Sequence, residues 1–135
     1  MCGKQAQIVS VGTAVPQKVM TNSDFEKFVD TSDEWIVQRT GIKTRYISDE
    51  DVEDPTAVLG TKAAQKALEK AGLQASDLDC IICATFTPDY FFPSTACNIS
   101  NRIGCPAVFA FDLYAACSGF LYGLNVANSL IASGQ

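Results

Sequence analysis

Cys117 has the surroundings of a reactive thiol. It stands in AACSGF at residues 115–120, after the apolar run 107–113 and ahead of a stretch, 113–135, that holds no charged residue. A strand over 107–113 would turn through Tyr114, Ala115 and Ala116 and enter a helix near Ser118. The sulfur would then lie beside backbone N–H groups that a helix leaves unpaired in its first turn. Those donors and the helix dipole favour thiolate over thiol, the form that attacks electrophilic carbon. A small core residue at a tight turn is the alternative reading of the same string.

Two other spacings bear on chemistry. Cys80 and Cys83 spell C-x-x-C inside an apolar, strand-like run. On a strand, positions i and i+3 face opposite sides, so these sulfurs could neither chelate one metal nor close one disulfide, and small buried hydrophobes are the plainer reading. Trp35 and Arg39 are four apart in a helix-like segment, which puts the guanidinium within reach of the indole on one face.

The elements that would position these residues alternate. Residues 6–12, AQIVSVG, read as a first strand whose Gly12 begins a loop through Pro16. Thr21 or Asn22 can cap a short helix that buries Phe25, Phe28 and Val29. Thr31 and Glu34 form the T-x-x-E pattern of a capping box, opening a second short helix that Gly41 ends. The acidic stretch 48–55 reads as a solvated loop closed by Asp54 as N-cap and Pro55 as first helical residue. The helix that follows runs to Ala71 and stops at Gly72, with Leu59, Ala63, Ala67 and Ala71 on one side and Lys62, Lys66, Glu69 and Lys70 on others.

Residues 80–86 have the continuous apolar character of a parallel strand buried on both faces. Pro88 and Pro93 bracket a loop with an aromatic tip, Tyr90, Phe91 and Phe92, which is costly to expose unless it is buried somewhere. Ser94 can cap a helix to about Ile103, before Gly104 and Pro106 break the chain ahead of 107–113. In the last helix Phe120, Leu124, Ala127 and Ile131 mark one stripe, while Leu121, Val126 and Leu130 face elsewhere. A helix apolar nearly all round needs cover on two sides.

Strands alternating with helices imply an α/β fold with a parallel sheet and right-handed crossovers. Three strands cannot cover the last helix from both sides, so the pattern calls for a second layer beyond Gln135. No internal repeat is visible.

Composition narrows the function classes. With 135 residues, 47% of them apolar, the chain suits one globular domain rather than a disordered tail. A net charge of −5 and a pI near 4.5 argue against nucleic acid or an anionic membrane as partner through a general positive field. Any anionic ligand must be held locally. The stretch 113–135 is too rich in Ser, Gly and Asn, and too bare of basic flanks, to read as a membrane span. The first ten residues show no secretory signal, which makes the cytoplasm the expected location. Six irregularly spaced Cys fit reduced thiols there.

AACSGF at 115–120, TSDEWIVQRTGI at 31–42 and FFPSTAC at 91–97 together resemble the β-ketoacyl-acyl carrier protein synthase III family, thiolase-fold enzymes that start fatty-acid chains. The resemblance runs along nearly the whole chain. It implies a thiolase-like α/β fold, in which two similar halves sandwich a pair of central helices and the nucleophile heads a buried central helix. Members are more than twice this long. Residues 1–135 would thus be the N-terminal part of the domain, its second half absent, with the family's catalytic His and Asn in that half. No His occurs among the 135 residues.

In the family the Cys that Cys117 matches attacks the thioester of an acyl-coenzyme A. It then passes the acyl group to the carbanion made by decarboxylating malonyl-acyl carrier protein. A thiolate suits both steps, being a strong nucleophile whose acyl product stays activated. Backbone N–H groups around it would bind the oxyanion. Trp35 and Arg39 match positions that hold the adenine end of coenzyme A, the alternatives being a core anchor and a surface cation. Thr31 matches a position that can hydrogen-bond the base, or does no more than cap its helix. Phe92 matches a loop residue that crosses the dimer interface to border the partner's acyl pocket, or makes a satellite core contact.

The resemblance therefore implies a cytoplasmic homodimer that works on acyl-coenzyme A, as substrate, and malonyl-acyl carrier protein, without metal or redox cofactor. Acetyl preference is implied by the commonest members, and Tyr114, bulky where a relative carries a small residue, leaves the acyl-pocket size open. Alternatives are a quinolone- or polyketide-type synthase of the same fold, or a non-catalytic fragment of a split or truncated gene.

Overall fold

The computed structural model describes residues 5–49, 51–105 and 108–135, and the chain divides into two compact units, Val15–Glu53 and Met1–Ala14 with Asp54–Gln135. In the smaller unit, β1 (Lys18–Thr21) and β2 (Thr44–Ile47) pair antiparallel, Lys18 opposite Ile47 and Thr21 opposite Thr44. Sequence reasoning provides neither strand. Each is four residues long, and two helices rather than a turn signature separate them: α1 (Asn22–Phe25) and α2 (Asp33–Thr40).

Thr21 caps α1. Its hydroxyl accepts from the Asp24 N–H at 3.2 Å, while the Asp24 carboxylate accepts from the Thr21 N–H at 3.1 Å. Because α1 is a single turn, Phe28 and Val29 lie beyond it and stay exposed, contrary to the expected burial, with Phe28 only edge-on to Phe25 at 5.3 Å. The cap of α2 is Ser32 rather than Thr31, its hydroxyl accepting from the Trp35 N–H at 3.2 Å. That one-residue shift places Glu34 second in the helix, out of frame for the expected capping box. Glu26 instead accepts from the Asp33 N–H at 2.6 Å. Gly41 ends α2 in the left-handed region, φ 71°, as its type predicts.

The larger unit contains α3 (Pro55–Ala71), β3 (Cys80–Cys83), α4 (Thr95–Arg102), β4 (Phe109–Asp112) and α5 (Gly119–Ser133). β3 and β4 are parallel, Cys80 opposite Phe109 and Cys83 opposite Asp112, with α4 as the crossover. This is the α/β arrangement the alternation implied. Phe86, inside the longer strand expected over 80–86, lies beyond β3 and is exposed. Ala107, first residue of the strand expected over 107–113, and Pro106, the break expected ahead of it, lie outside the described residues, as do residues 1–4 and Glu50 of the acidic loop.

Residues 6–12 do not join this sheet, which corrects the expected first strand. They run along α3 instead, where the Ser10 hydroxyl donates to the Ala67 carbonyl at 2.7 Å and Lys70 donates to the Val11 carbonyl at 2.9 Å. Gly12 is required there, since a Cβ would fall 2.0 Å from the Ala63 carbonyl oxygen. An apolar run becomes a strand only where a neighbouring backbone completes the ladder. Among the described residues β3 and β4 complete each other's, and Ile8, Val9 and Val11 remain exposed.

The core of this unit is the contact of α3 with α4. Ala57 and Ala96 are wholly buried, Ile99 nearly so, and Gly60 makes room for the Ile99 side chain. Burying a side chain the size of Ile99 is worth roughly 1.5–3 kcal/mol, and an alanine methyl less. α5 lies over β3 through small residues: Gly119 is buried, a Cβ there would touch the Ala84 Cβ at 3.4 Å, and one at Gly123 would lie 3.9 Å from the Ile82 Cγ2. On α5 itself Phe120, Leu121 and Tyr122 are exposed, so the helix is covered in part and not on all sides.

Candidate active site

The turn that carries Cys117 begins where the parallel ladder ends. The Leu113 N–H still bonds the Cys83 carbonyl at 2.9 Å, after which Ala115 (φ −146°, ψ 28°) and Ala116 (φ 44°) bend the chain sharply. A left-handed non-glycine residue costs roughly 1–3 kcal/mol, a kind of strain that clusters at functional sites. The turn closes when the Ser118 N–H bonds the Ala115 carbonyl at 3.0 Å, making a short 3₁₀ turn over Ala116–Ser118. Cys117 sits exposed in the middle of it, directly before α5. No side chain caps that helix at Ser118, so its first-turn N–H groups have no side-chain acceptor there.

Two aspartates that sequence reasoning did not single out hold the surroundings of this turn. Asp112, the last residue of β4, accepts from the Thr95 and Ala96 N–H groups, both at 2.8 Å, and so caps α4 with a bidentate carboxylate. Asp89 does the same for α3, accepting from Thr56 at 3.0 Å and Ala57 at 2.8 Å. Asp54 is the N-cap residue of α3 ahead of Pro55, as expected, but with left-handed backbone (φ 53°) its carboxylate makes no cap bond and pairs with Arg102 at 2.9 Å. The available signal for Asp112 was a lone charge within an otherwise apolar run, FAFDLY.

These carboxylates also act on Cys83. Burial, then Asp112 and Asp89, push its thiol up to about 11. Burial and the neighbouring Asp79 raise Cys80 as well. Both are free thiols held in the neutral form at neutral pH, so the C-x-x-C pair contributes no nucleophile. Among the described residues no group of three or more His, Cys, Asp or Glu could hold a metal ion.

The loop before α4 carries Phe91 and Phe92 almost entirely exposed. Phe91 and Tyr114 line one hollow of about 240 Å³ together with Phe86, Pro88, Asp89 and Tyr90. The aromatic loop and the residue just ahead of the nucleophile turn thus share one hollow, to which Phe91 contributes and Phe92 does not. Phe92 is 91% exposed, so among the described residues it makes no satellite core contact.

In the smaller unit, the Arg39 guanidinium lies over the Trp35 ring, 4.8 Å from its centroid, as their spacing on α2 predicts. Trp35 remains 53% exposed and helps line an open hollow of about 660 Å³ with Thr31, Ser32, Ile36, Thr40 and Arg45. Freed from capping, Thr31 is part of that wall. An open indole with a cation beside it is suited to stacking on a planar ligand. Sequence reasoning missed Arg45, which stacks over Phe25 at 4.9 Å. Among the described residues no helix is long and apolar enough to cross a membrane.

Comparison with known proteins places this geometry in context. The family described as 3-oxoacyl-[acyl-carrier-protein (ACP)] synthase III matches residues 111–135, the segment that holds Cys117 and α5. The chain is 53% identical, over 132 residues, to the β-ketoacyl-[acyl-carrier-protein] synthase III of Campylobacter fetus subsp. fetus, covering 97% of this chain and 39% of that protein. It superposes on the crystal structure of 3-oxoacyl-[acyl-carrier-protein] synthase III from Aquifex aeolicus with a TM-score of 0.88 at 49% identity, covering 95% of this chain and 41% of that one. The priming β-ketosynthase of the R1128 polyketide pathway gives a TM-score of 0.90 at 31% identity, covering 98% and 39%. The fold is thus thiolase-like and partial, and the chain spans about 39% of the length of the curated relative.

Proposed function

We propose that this chain, which matches relatives named β-ketoacyl-[acyl-carrier-protein] synthase III along nearly its whole length, supplies the nucleophile and the nucleotide-holding surface of a condensing acyltransferase in fatty-acid synthesis. The Cys117 thiolate attacks the thioester carbonyl of a short acyl-coenzyme A, acetyl-coenzyme A being the first candidate. The C–S bond to coenzyme A breaks, coenzyme A leaves as its thiolate, and the acyl group stays on Cys117. Decarboxylation of malonyl-acyl carrier protein then yields a carbanion that attacks acyl-Cys117, forms the C–C bond and releases the thiolate. The N–H groups at the start of α5 are suited to the oxyanion in both steps. This chain has no imidazole to assist the decarboxylation, and the resemblance puts that His, with an Asn, in the family's second half.

The observation that carries the reading is an exposed Cys117 in a strained turn, at the mouth of a helix that no side chain caps. Trp35 and Arg39 stack on the adenine end of coenzyme A, and Thr31 in the wall of the same hollow hydrogen-bonds the base. Phe92 crosses to a second copy in a cytoplasmic homodimer, which accounts for a bare aromatic tip. The test is condensation of acetyl-coenzyme A with malonyl-acyl carrier protein by the full-length polypeptide. Loss of product in Cys117→Ala is expected, and product formation by that variant at the parent rate refutes the assignment.

One observation favours a second reading. The polyketide priming synthase superposes as well as the fatty-acid relatives do. The chemistry at Cys117 is the same in both, and parallel assays with a fatty-acid and a polyketide carrier protein separate them by which malonyl-carrier protein is consumed.

A further inference from the structure

Asn22 is almost wholly buried, at 1% exposure, and its side-chain amide reaches both ends of α2. Its Nδ2 donates to the Asp33 carboxylate at 2.7 Å, at the first residue of the helix, and to the Ile42 carbonyl at 2.9 Å, just past Gly41. Its Oδ1 accepts from Arg45 Nη2 at 2.7 Å, which ties the same clamp to β2. An eight-residue helix has little stability of its own, so its setting is dictated by contacts. Ile36 is the one buried residue on α2, a pivot near its middle. A helix held at a single central point can rock, and bonds at both ends prevent it.

Trp35 and Arg39 ride on that helix, between the two points the clamp holds. We infer that Asn22 is a positioning residue for the nucleotide end of acyl-coenzyme A, fixing α2 at both ends and through it the plane that the Trp35 indole offers to the base. The inference rests on the proposed role of Trp35. Asn22 touches no ligand itself. Asn22→Ala would leave the Asp33 carboxylate, the Ile42 carbonyl and Arg45 Nη2 each short of a partner, loosening both ends together while Glu26 and the Ser32 cap still bond the first turn.

The experiment is a double-mutant cycle in the full-length polypeptide, reading KM for acetyl-coenzyme A, KM for malonyl-acyl carrier protein and kcat. Asn22→Ala should raise KM for acetyl-coenzyme A about tenfold or more, about 1.4 kcal/mol, with KM for malonyl-acyl carrier protein and kcat changed less than about twofold. In a Trp35→Ala background the same substitution should add almost nothing, because the ring it positions is gone. A general loss of packing would act equally in both backgrounds, and that result overturns the inference. If Asn22→Ala does not fold, Asp33→Asn carries the same cycle with a smaller expected effect, and full additivity there is equally fatal. Trp35→Ala without effect on KM refutes the nucleotide-end reading itself. An effective Trp35→Ala with folded but silent Asn22 and Asp33 variants refutes only the positioning role.

Discussion

Residues 1–135 produced alone should behave as a helical but loosely packed chain that associates through α5. Fully burying a large apolar side chain is worth roughly 1.5–3 kcal/mol. Phe120 and Leu121 are each 67% exposed, Tyr122 57%, and Leu124 and Ile131 more than a third. Weighting each by its exposed fraction leaves roughly 4–8 kcal/mol of burial unrealised on this one helix. The whole net stability of a domain is about 5–15 kcal/mol. Elsewhere only Ile36, Ala57, Ala96 and Ile99 are buried among the described apolar residues, two of them alanines. The expected observables are a helical far-ultraviolet spectrum, weak near-ultraviolet ellipticity, binding of an apolar dye and a broad thermal transition. Leu121→Lys places a charge on the exposed face and should reduce dye binding and self-association together. A monomer that melts sharply and ignores the dye would refute the reasoning, since it would show the exposed face costing nothing.

Three further outcomes follow from the site. Trp35→Ala in the full-length polypeptide should raise KM for acyl-coenzyme A about five- to a hundredfold, as base stacking is worth roughly 1–3 kcal/mol, and leave KM for malonyl-acyl carrier protein unchanged; equal effects on both substrates would indicate a folding defect instead. Asp112→Ala removes both carboxylate bonds to the start of α4, leaving the Ser94 cap in place, and should destabilise by about 1–2 kcal/mol, read as a lowered melting temperature. Asp112→Asn keeps an acceptor and should lose less, and equal losses would contradict the capping role. Cys83, pushed up from 9.0 to about 11 by burial, should alkylate slowly in the folded protein until the pH approaches 11. Because its folded pKa is raised, the neutral thiol's contribution to stability is fully present below pH 9 and is lost as the pH rises through 9 to 11. Half-maximal alkylation near pH 9 in the folded protein would contradict it.

What was legible in the sequence was whatever depends on local chemistry. Gly41, Gly72 and Ser94 end or start their helices as their types dictate, and Trp35 and Arg39 meet because four residues separate them on α2. The turn before α5 was readable from an apolar run giving way to AACSGF, although the left-handed Ala116 was not, since alanine carries no signal for that conformation. What failed depends on distant partners. Residues 6–12 have a strand's composition but no ladder, because hydrogen-bonding neighbours are a property of the fold and not of the segment. The start of α3 at Asp54 and Pro55 was read correctly, but its side-chain cap comes from Asp89, distant in sequence, and a one-residue shift handed the start of α2 from Thr31 to Ser32. Asn22 looked like a capping residue, and its role as a hub joining Asp33, Ile42 and Arg45 could not be read from spacing.

In the proposed reaction Cys117 takes the acyl group. This step is tested most directly by incubating the full-length polypeptide with acetyl-coenzyme A, omitting the malonyl substrate so that the acyl-enzyme accumulates, and mapping the acetyl mass by peptide mass spectrometry. One acetyl group per chain is expected, on the peptide containing Cys117, labile to hydroxylamine as a thioester is, and absent from Cys117→Ala. Acetylation of any other cysteine, or unchanged labelling of Cys117→Ala, would contradict it.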